Sequence, residues 1–471
     1  MKRKSIFWFF VIVFLAFLLF SYHLPSSYGF DNDFARDLIE IQKIVQGKIT
    51  LLGPKSSFGG LYTGPFYYYL FVPVFFIFKH SLEAVLYFNA LLFALAIGYF
   101  FSKTAKHFGL VKAMTASLCL LLLPLILTSS RSPGNAYTYL ALLLAMLVYV
   151  FFERPKSWKQ MIVLGFCGGI IINFHYGTFI VILTLGLFLF LTAKKKQQIL
   201  GYFFGIFLSF LPLLFFEVKH HFVMLKNTFL KKSYLTFSSG NYAETKNAGF
   251  FSRIEGILTE IKKVILLHPL ICILIAYLAV WKKRLKREKT FFFLAGLDLL
   301  IILLIFRFQF VSFYFYSFAL FIFFASLMLL LKSKWWWILL TFLAVEIIFF
   351  PRSLYQNSSR NWKEFSAAAD YLINNKILDK KNQFSVLQIR KDTALAPYGY
   401  EYGFFLREKG YLPNAEDSYR NSDQLLVINE QPVDLMKLEN WEAKEFGLKN
   451  LAAPKIYRFN NLYIYKNNKV Q

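Results

Sequence analysis

MKRKSIFWFFVIVFLAFLLFSY, residues 1–22, sets three cations ahead of an uncharged run from Ile6 to Tyr22. A helical run of that length and apolarity crosses a hydrocarbon core of about 30 Å. A cleaved secretory signal would end in a small-x-small site, and none follows Tyr22, while further apolar runs do. The segment therefore reads as a retained signal anchor rather than a signal peptide, with its basic end in the cytoplasm.

The same alternation of apolar run and basic turn continues along most of the chain, which is 57% hydrophobic and only 17% charged over 471 residues. Backbone polar groups inside a bilayer must be satisfied within the segment, so the spans are helices. The net charge of +26 would suggest a nucleic-acid partner in a soluble domain. Here the cations cluster in short turns, where they report topology instead, and no nucleic-acid role follows. MKRK at the start, KTAKHFGLVK from Lys103, ERPKSWK from Glu153, KKK from Lys194, KKRLKREK from Lys282 and KSK from Lys332 must share one side. With a cytoplasmic N-terminus this places spans near 6–22, 82–101, 112–128, 136–152, 160–174, 177–193, 199–216, 264–281, 290–306, 313–331 and 335–350. The expected fold class is thus an all-α polytopic membrane protein of about eleven transmembrane helices, N-in and C-out.

Residues Pro65 to Phe78 are apolar enough to span, but a crossing there would move the KTAKHFGLVK turn to the outer side. The segment is instead expected to lie in, or dip into, the outer interface, where the tyrosines of GPFYYY are favoured. Residues 23–81 then form one external loop, with a second interfacial helix from Phe34 to Val45 carrying Phe34, Leu38, Ile41 and Val45 at helical spacing. A further external loop, 217–263, is rich in lysine and contains His220 and His221. It is either a long loop translocated regardless of its charge or an anion-binding lid over a phosphate. Residues 1–350 form the membrane domain in this reading. From 351 to 471 the composition becomes that of a soluble protein, with a helical WKEFSAAADYLINN and strand-like FSVLQIR, QLLVINE, KIYRF and LYIYK. A small external α/β domain is expected there.

Several chemistries find no support. Cys119, Cys167 and Cys272 all fall within expected spans and offer neither a disulfide framework nor a thiolate metal site. No phosphate-binding GxxxxGK loop and no dinucleotide fingerprint is present. Asn357 begins an NSS glycosylation pattern that is too short to be specific. Asp298, Arg307 and Glu346 lie in or beside spans, where an acid marks either function or pairing within the bundle.

The charged stretch YGFDNDFARDL, residues 28–38, stands just outside the first span. A helix beginning with Asp33 as its N-cap would set Asp33, Arg36 and Asp37 on one face. The plain alternative is a cap plus a surface ion pair. The following LLGPKSSFGGLYTGPFYYYL resembles a shaped lip, with Gly64, Pro65, Tyr67, Tyr68 and Tyr69 at its end, and loops of that composition tend to bind.

An acidic motif after the first span, a GPxYYYL-type interfacial helix and a basic turn after the next span together resemble the GT-C glycosyltransferases. The similar branch contains bacterial relatives of dolichyl-phosphate-mannose protein mannosyltransferases and of aminoarabinose and lipopolysaccharide-core sugar transferases. The resemblance runs from the N-terminus to about Lys196 and is strongest over 29–74. It implies a general base in the first external loop. DNDFARD matches a D-x-x-R-D form of the family motif, giving Asp33 that role, Asp31 as the alternative, and Arg36 and Asp37 as orienting groups. In SSRSPGNAY the family's second-loop residues match at Arg131 and Asn135 but without a carboxylate, which counts against a two-carboxylate metal site. NFHYGT supplies His175 and Tyr176 where the family places an outward polar residue. No metal ligand set and no cofactor is assigned; a divalent cation is compatible but unsupported.

The implied partners are a polyprenyl-phosphate sugar donor, an acceptor protein, lipid or glycan, and membrane lipids, at a cell-membrane site facing the extracytoplasmic side. Such a donor already carries a good leaving group, so a base for the acceptor hydroxyl and a cationic clamp for the phosphate suffice. Asp33 would serve as base with inversion at the anomeric carbon. Arg131, with His175 or a loop lysine, would hold the phosphate. Two bland readings stand beside this: Arg131 as a snorkelling interfacial residue and His175 as a satisfied helix-end histidine. The competing function is a polytopic lipid or sugar transporter or flippase, against which the absence of paired half-repeats argues. An assembly protein acting through its external tail is a third.

Overall fold

The structure, a computed structural model, describes residues 2–56, 61–153, 155, 157–192, 196–230, 250–265, 286–305, 312–380, 382–389, 398–415, 418–438, 440–448 and 453–469. It separates into two compact units, one of Met1–Leu24 with Ile44–Tyr355 and one of Pro25–Lys43 with Gln356–Gln471.

The larger unit is a bundle of apolar helices. Among the described residues Ile6–Ser27, Leu82–Phe108 and Asn135–Phe152 are each long and apolar enough to cross a membrane. The number rises to five if two bent pairs each make one span, Leu110–Leu122 with Pro124–Ser130 (62°) and Lys196–Ser209 with Leu211–Lys219 (50°). Both bends have a sequence cause: Pro124 and Pro212 stand in the first turn of the second helix of each pair. Proline has no N–H to continue the ladder, and before Pro124 it also leaves Leu123 outside helical geometry, with ψ at 124°. Trp158–Phe174, Tyr176–Thr192, Tyr316–Lys332 and Ile338–Ile348 are shorter apolar helices. The span expected at 264–281 falls mainly on residues outside those described, as do Arg307 and the middle of the 217–263 loop. At the end of that loop Phe250–Ile265 is an amphipathic helix whose Ile257, Leu258 and Ile261 are buried.

Without a hydrophobic drive between helices in lipid, close approach of backbones holds such a bundle together. Trp158–Phe174 lies so near Ile199–Ser209 that a Cβ on Gly165 would stand 1.9 Å from the Tyr202 carbonyl oxygen. Where helices end, buried amides take up the loose carbonyls. Asn89 donates to the carbonyls of Ser129 (3.0 Å) and Ser130 (2.9 Å) and accepts from the Thr138 hydroxyl (2.9 Å).

The smaller unit holds a four-stranded sheet of order β1-β2-β4-β3. Its strands are β1 (Phe384–Gln388), β2 (Gln424–Asn429), β3 (Lys455–Phe459) and β4 (Leu462–Asn468). β1 and β2 run parallel and are buried throughout, with the Tyr400–Glu408 helix between them in sequence. β3 and β4 form a hairpin around Asn460–Asn461, where Asn460 takes a positive φ of 49° as a two-residue turn requires.

This unit does not follow the linear boundary at 350/351. Pro25–Lys43, expected in the first loop of the membrane domain, is clustered with Gln356–Gln471. Phe30 explains why. It is 1% exposed, with its ring 5.6–6.0 Å from those of Phe365, Phe404 and Phe405, and its N–H donates to the Arg360 carbonyl at 2.9 Å. Asn361 Nδ2 donates to the Pro25 and Ser26 carbonyls, and the Tyr400 N–H donates to Asn32 Oδ1.

Gly165→Ala pushes a methyl group onto the neighbouring backbone and should cost about 2 kcal/mol. Thermal unfolding of the purified protein should show a midpoint several degrees lower, and an unchanged midpoint would mean that the two helices are not held by this approach.

Candidate functional site

The expected site residues fall into two groups, each knit within its own unit.

In the smaller unit the helix runs Asn32–Val45, beginning two residues before Phe34. Its cap is Asp31 and not Asp33: Asp31 Oδ1 accepts the Phe34 N–H at 2.8 Å, and the Asp31 carbonyl accepts the Ala35 N–H. Asp33 lies in the first turn with a side chain 82% exposed, paired to Arg36 Nη1 at 2.9 Å. The other edge of the Arg36 guanidinium goes to Asp37, with Nε at 3.0 Å and Nη2 at 2.9 Å on Oδ1. Asp37 is 1% exposed, so this pair is a buried one and removing either partner strands a charge. Arg36 thus stretches between a buried carboxylate that fixes it and an open one that it orients. Asp31 keeps open surface but is crowded by surrounding protein. Loss of hydration is the main cause that pushes its carboxyl up, to about 6, aided by the charge of Asp33 and opposed by the Phe34 N–H and by Arg36.

In the larger unit three short segments are tied together. The end of the lip meets the end of the Trp158–Phe174 helix, where the Gly64 N–H donates to the Asn173 carbonyl at 3.2 Å. A Cβ on Gly64 would stand 1.8 Å from Asn173 Oδ1, so only glycine fits. Tyr67 donates to the Pro133 carbonyl, Tyr69 to the Thr50 carbonyl (2.9 Å) and Tyr176 to the Tyr62 carbonyl (2.7 Å). Asn135 Nδ2 closes the circuit on the Phe174 carbonyl at 2.9 Å. Tyr67 and Tyr68 are buried, and Pro65 precedes the 12-residue Phe66–Ile77 helix. These tyrosines therefore act first as fasteners of the lip rather than as an exposed aromatic rim.

Arg131 is 4% exposed. Its Nη1 donates to the carbonyls of Phe20 (2.8 Å) and Tyr22 (3.0 Å) at the end of the first helix, and its guanidinium lies 4.1 Å over the Tyr355 ring. That geometry makes it a tie for a helix end, unlike a snorkelling cation. His175 is sandwiched between aromatic rings, Tyr139 at 5.6 Å and Tyr314 at 5.8 Å. Burial pushes its imidazole down to about 4, which favours the neutral ring. Tyr139, Tyr314, Tyr355 and Asn173 were not foreseen, because nothing in an apolar run marks which aromatic or amide faces inward.

Among the described residues no three of His, Cys, Asp and Glu come close enough to share a metal ion. Asp298 accepts from the Thr184 hydroxyl, whereas Glu346 is fully buried with no hydrogen-bond partner for either oxygen among the described residues.

The family model of dolichyl-phosphate-mannose-protein mannosyltransferases matches residues 63–216, from the lip through the Arg131 and His175 segments. In fold, the chain is similar to ArnT from Cupriavidus metallidurans in its crystal structures bound to undecaprenyl phosphate and in the apo state. Each gives a TM-score of 0.61 at 12% identity, covering 99% and 98% of this chain respectively and 98% of the other. The family match covers about a third of the chain, and the likeness to ArnT at this identity is one of fold. No curated protein matches this chain in sequence. Function must therefore be argued from residues placed on the fold.

Loss of the Arg131 tie leaves two helix-end carbonyls unmet, so Arg131→Met should cost about 2 kcal/mol and Tyr67→Phe about 1 kcal/mol. Thermal unfolding of each variant checks this; an Arg131→Met protein as stable as the parent would contradict the structural role.

Proposed function

We propose that the protein transfers a sugar from a polyprenyl-phosphate donor to an acceptor hydroxyl of a protein, lipid or glycan on the extracytoplasmic face, with inversion at the anomeric carbon. The observation that carries the reading is the end-to-end likeness in fold to ArnT, a protein crystallised with undecaprenyl phosphate, together with the D-x-x-R-D arrangement in this chain.

Asp33 is the base in this reading. It is open to solvent, and Arg36, itself fixed by buried Asp37, sets its orientation. The carboxylate takes the acceptor proton as the oxygen attacks the anomeric carbon; the carbon–phosphate-oxygen bond breaks on the opposite face and the lipid phosphate leaves with its electron pair. Arg131 and Asn135 are assigned to the donor phosphate side. There Arg131 adds positive potential while remaining tied to the first helix, and neutral His175 with Tyr176 shapes the wall. A divalent cation is not needed for this scheme. A second reading is favoured by one observation, the raised carboxyl of Asp31. A base whose pKa lies close to the working pH is a more effective proton acceptor.

Purified protein given a polyprenyl-phosphate sugar and an acceptor should release free lipid phosphate. Asp33→Asn should reduce release by about a hundredfold or more while leaving the melting temperature in place. Undiminished turnover in that variant removes Asp33 from the role. The pH profile separates the two acids. If Asp31 is the base, kcat/KM climbs through about pH 6 as its carboxyl loses its proton, and that limb vanishes in Asp31→Asn. Turnover and a pH profile that are unchanged in Asp31→Asn exclude Asp31.

A further inference from the structure

A cleft of about 560 Å³ opens on the larger unit, and neither Gly64 nor Asn135 lines it. Its lining is almost wholly apolar, with Leu142 and Met146 on one helix and Val163, Cys167 and Ile171 on the next, and it ends at Lys159 and Gln160. Tyr99 and Tyr149 flank it. Met146, Leu164 and Ile171 form a buried floor, while Val163 is 62% exposed and Cys167 is exposed, so one side is open to the surroundings. In a membrane-spanning chain those surroundings are lipid.

Two features say what fills it. The first is charge. Lys159 stands at the mouth with no carboxylate among the described residues against it in an ion pair, and the adjoining sequence, Glu153–Lys159, also carries Arg154 and Lys156. The acid of that segment, Glu153, is already paired with Lys103. The second is length. From Lys159 to Ile171 the cleft follows twelve steps of helix, about 18 Å. Half of a hydrocarbon core of about 30 Å is similar, so the cleft takes one acyl chain of one leaflet. We propose that it is a binding site for an anionic glycerophospholipid, with an acyl chain along Val163, Cys167 and Ile171 and the phosphate at Lys159. It would anchor the Asn135–Phe152 and Trp158–Phe174 helices, both of which end at the tied segments, and it does not depend on the transferase reading.

Cys167 provides the probe. Full-length protein is placed in nanodiscs of phosphatidylcholine alone, of phosphatidylcholine with phosphatidylglycerol, and of phosphatidylcholine with inorganic phosphate in the buffer. Alkylation by a membrane-soluble maleimide is followed by mass spectrometry of the peptide carrying Cys167. Phosphatidylglycerol should slow alkylation about fivefold, the worth of one favourable cation near an anionic lipid. Lys159→Glu should abolish the slowing, and inorganic phosphate alone should not slow it. Equal rates in the two lipids overturn the proposal. So does slowing that persists in Lys159→Glu, which would be a general surface effect. Protection by phosphate alone, or protection that tracks protein density in phosphatidylcholine, would assign the cleft to a free anion or to a second copy of the chain.

Discussion

Every helix that stops at a membrane surface leaves carbonyls and N–H groups without partners, and satisfying them is the constraint on which this structure turns. The chain meets it with a small set of polar side chains that reach from one helix end to another. Asn89 serves Ser129 and Ser130, Asn135 serves Phe174, and Arg131 serves Phe20 and Tyr22. Tyr67 and Tyr176 do the same for the carbonyls of Pro133 and Tyr62. Because each tie joins two segments far apart in sequence, the ends of the bundle become one surface rather than a set of loose turns. A rigid surface of that kind suits a reaction whose catalysis is mainly positioning and charge stabilisation.

The same ties change what several residues mean. Arg131 is valuable here because its fork donates in a fixed plane and its charge survives burial, both of which a lysine would do less well. It serves the fold through its donors to Phe20 and Tyr22. His175 is held between two tyrosine rings, and burial favours its neutral form. The acidic stretch obeys a different logic. Phe30 among three phenylalanines and the Arg360 carbonyl on its N–H commit residues 25–43 to the unit built from 356–471. The proposed base is thereby carried on a soluble-type α/β unit, and the lip on the helical bundle.

Much of this was legible in the sequence, for physical reasons that also explain the rest. Apolar runs punctuated by cations read directly as helices because the bilayer permits little else, and the alternating tail reads as strands because its burial has a period of two or runs without interruption. The GPFYYY segment reads as a helix and forms one, while the carbonyls that the Tyr67 and Tyr69 hydroxyls meet are partners that no pattern reveals. Asp31 and Asp33 both satisfy the capping rule in sequence, and only the Phe34 N–H decides for Asp31. The joining of 25–43 to 356–471 depends on contacts more than 300 residues apart in sequence, beyond any local signal.

The central claim is that a sugar–phosphate bond of a lipid donor is broken here. Carbon-13 enrichment at the anomeric carbon of a polyprenyl-phosphate sugar makes that bond directly visible, because the carbon couples to phosphorus only while it lasts. Incubated with the reconstituted protein and an acceptor extract, the labelled carbon should lose its phosphorus coupling and appear as a glycoside of opposite anomeric configuration. A coupling that persists while the lipid sugar is redistributed between the two leaflets would contradict the account and make the protein a carrier.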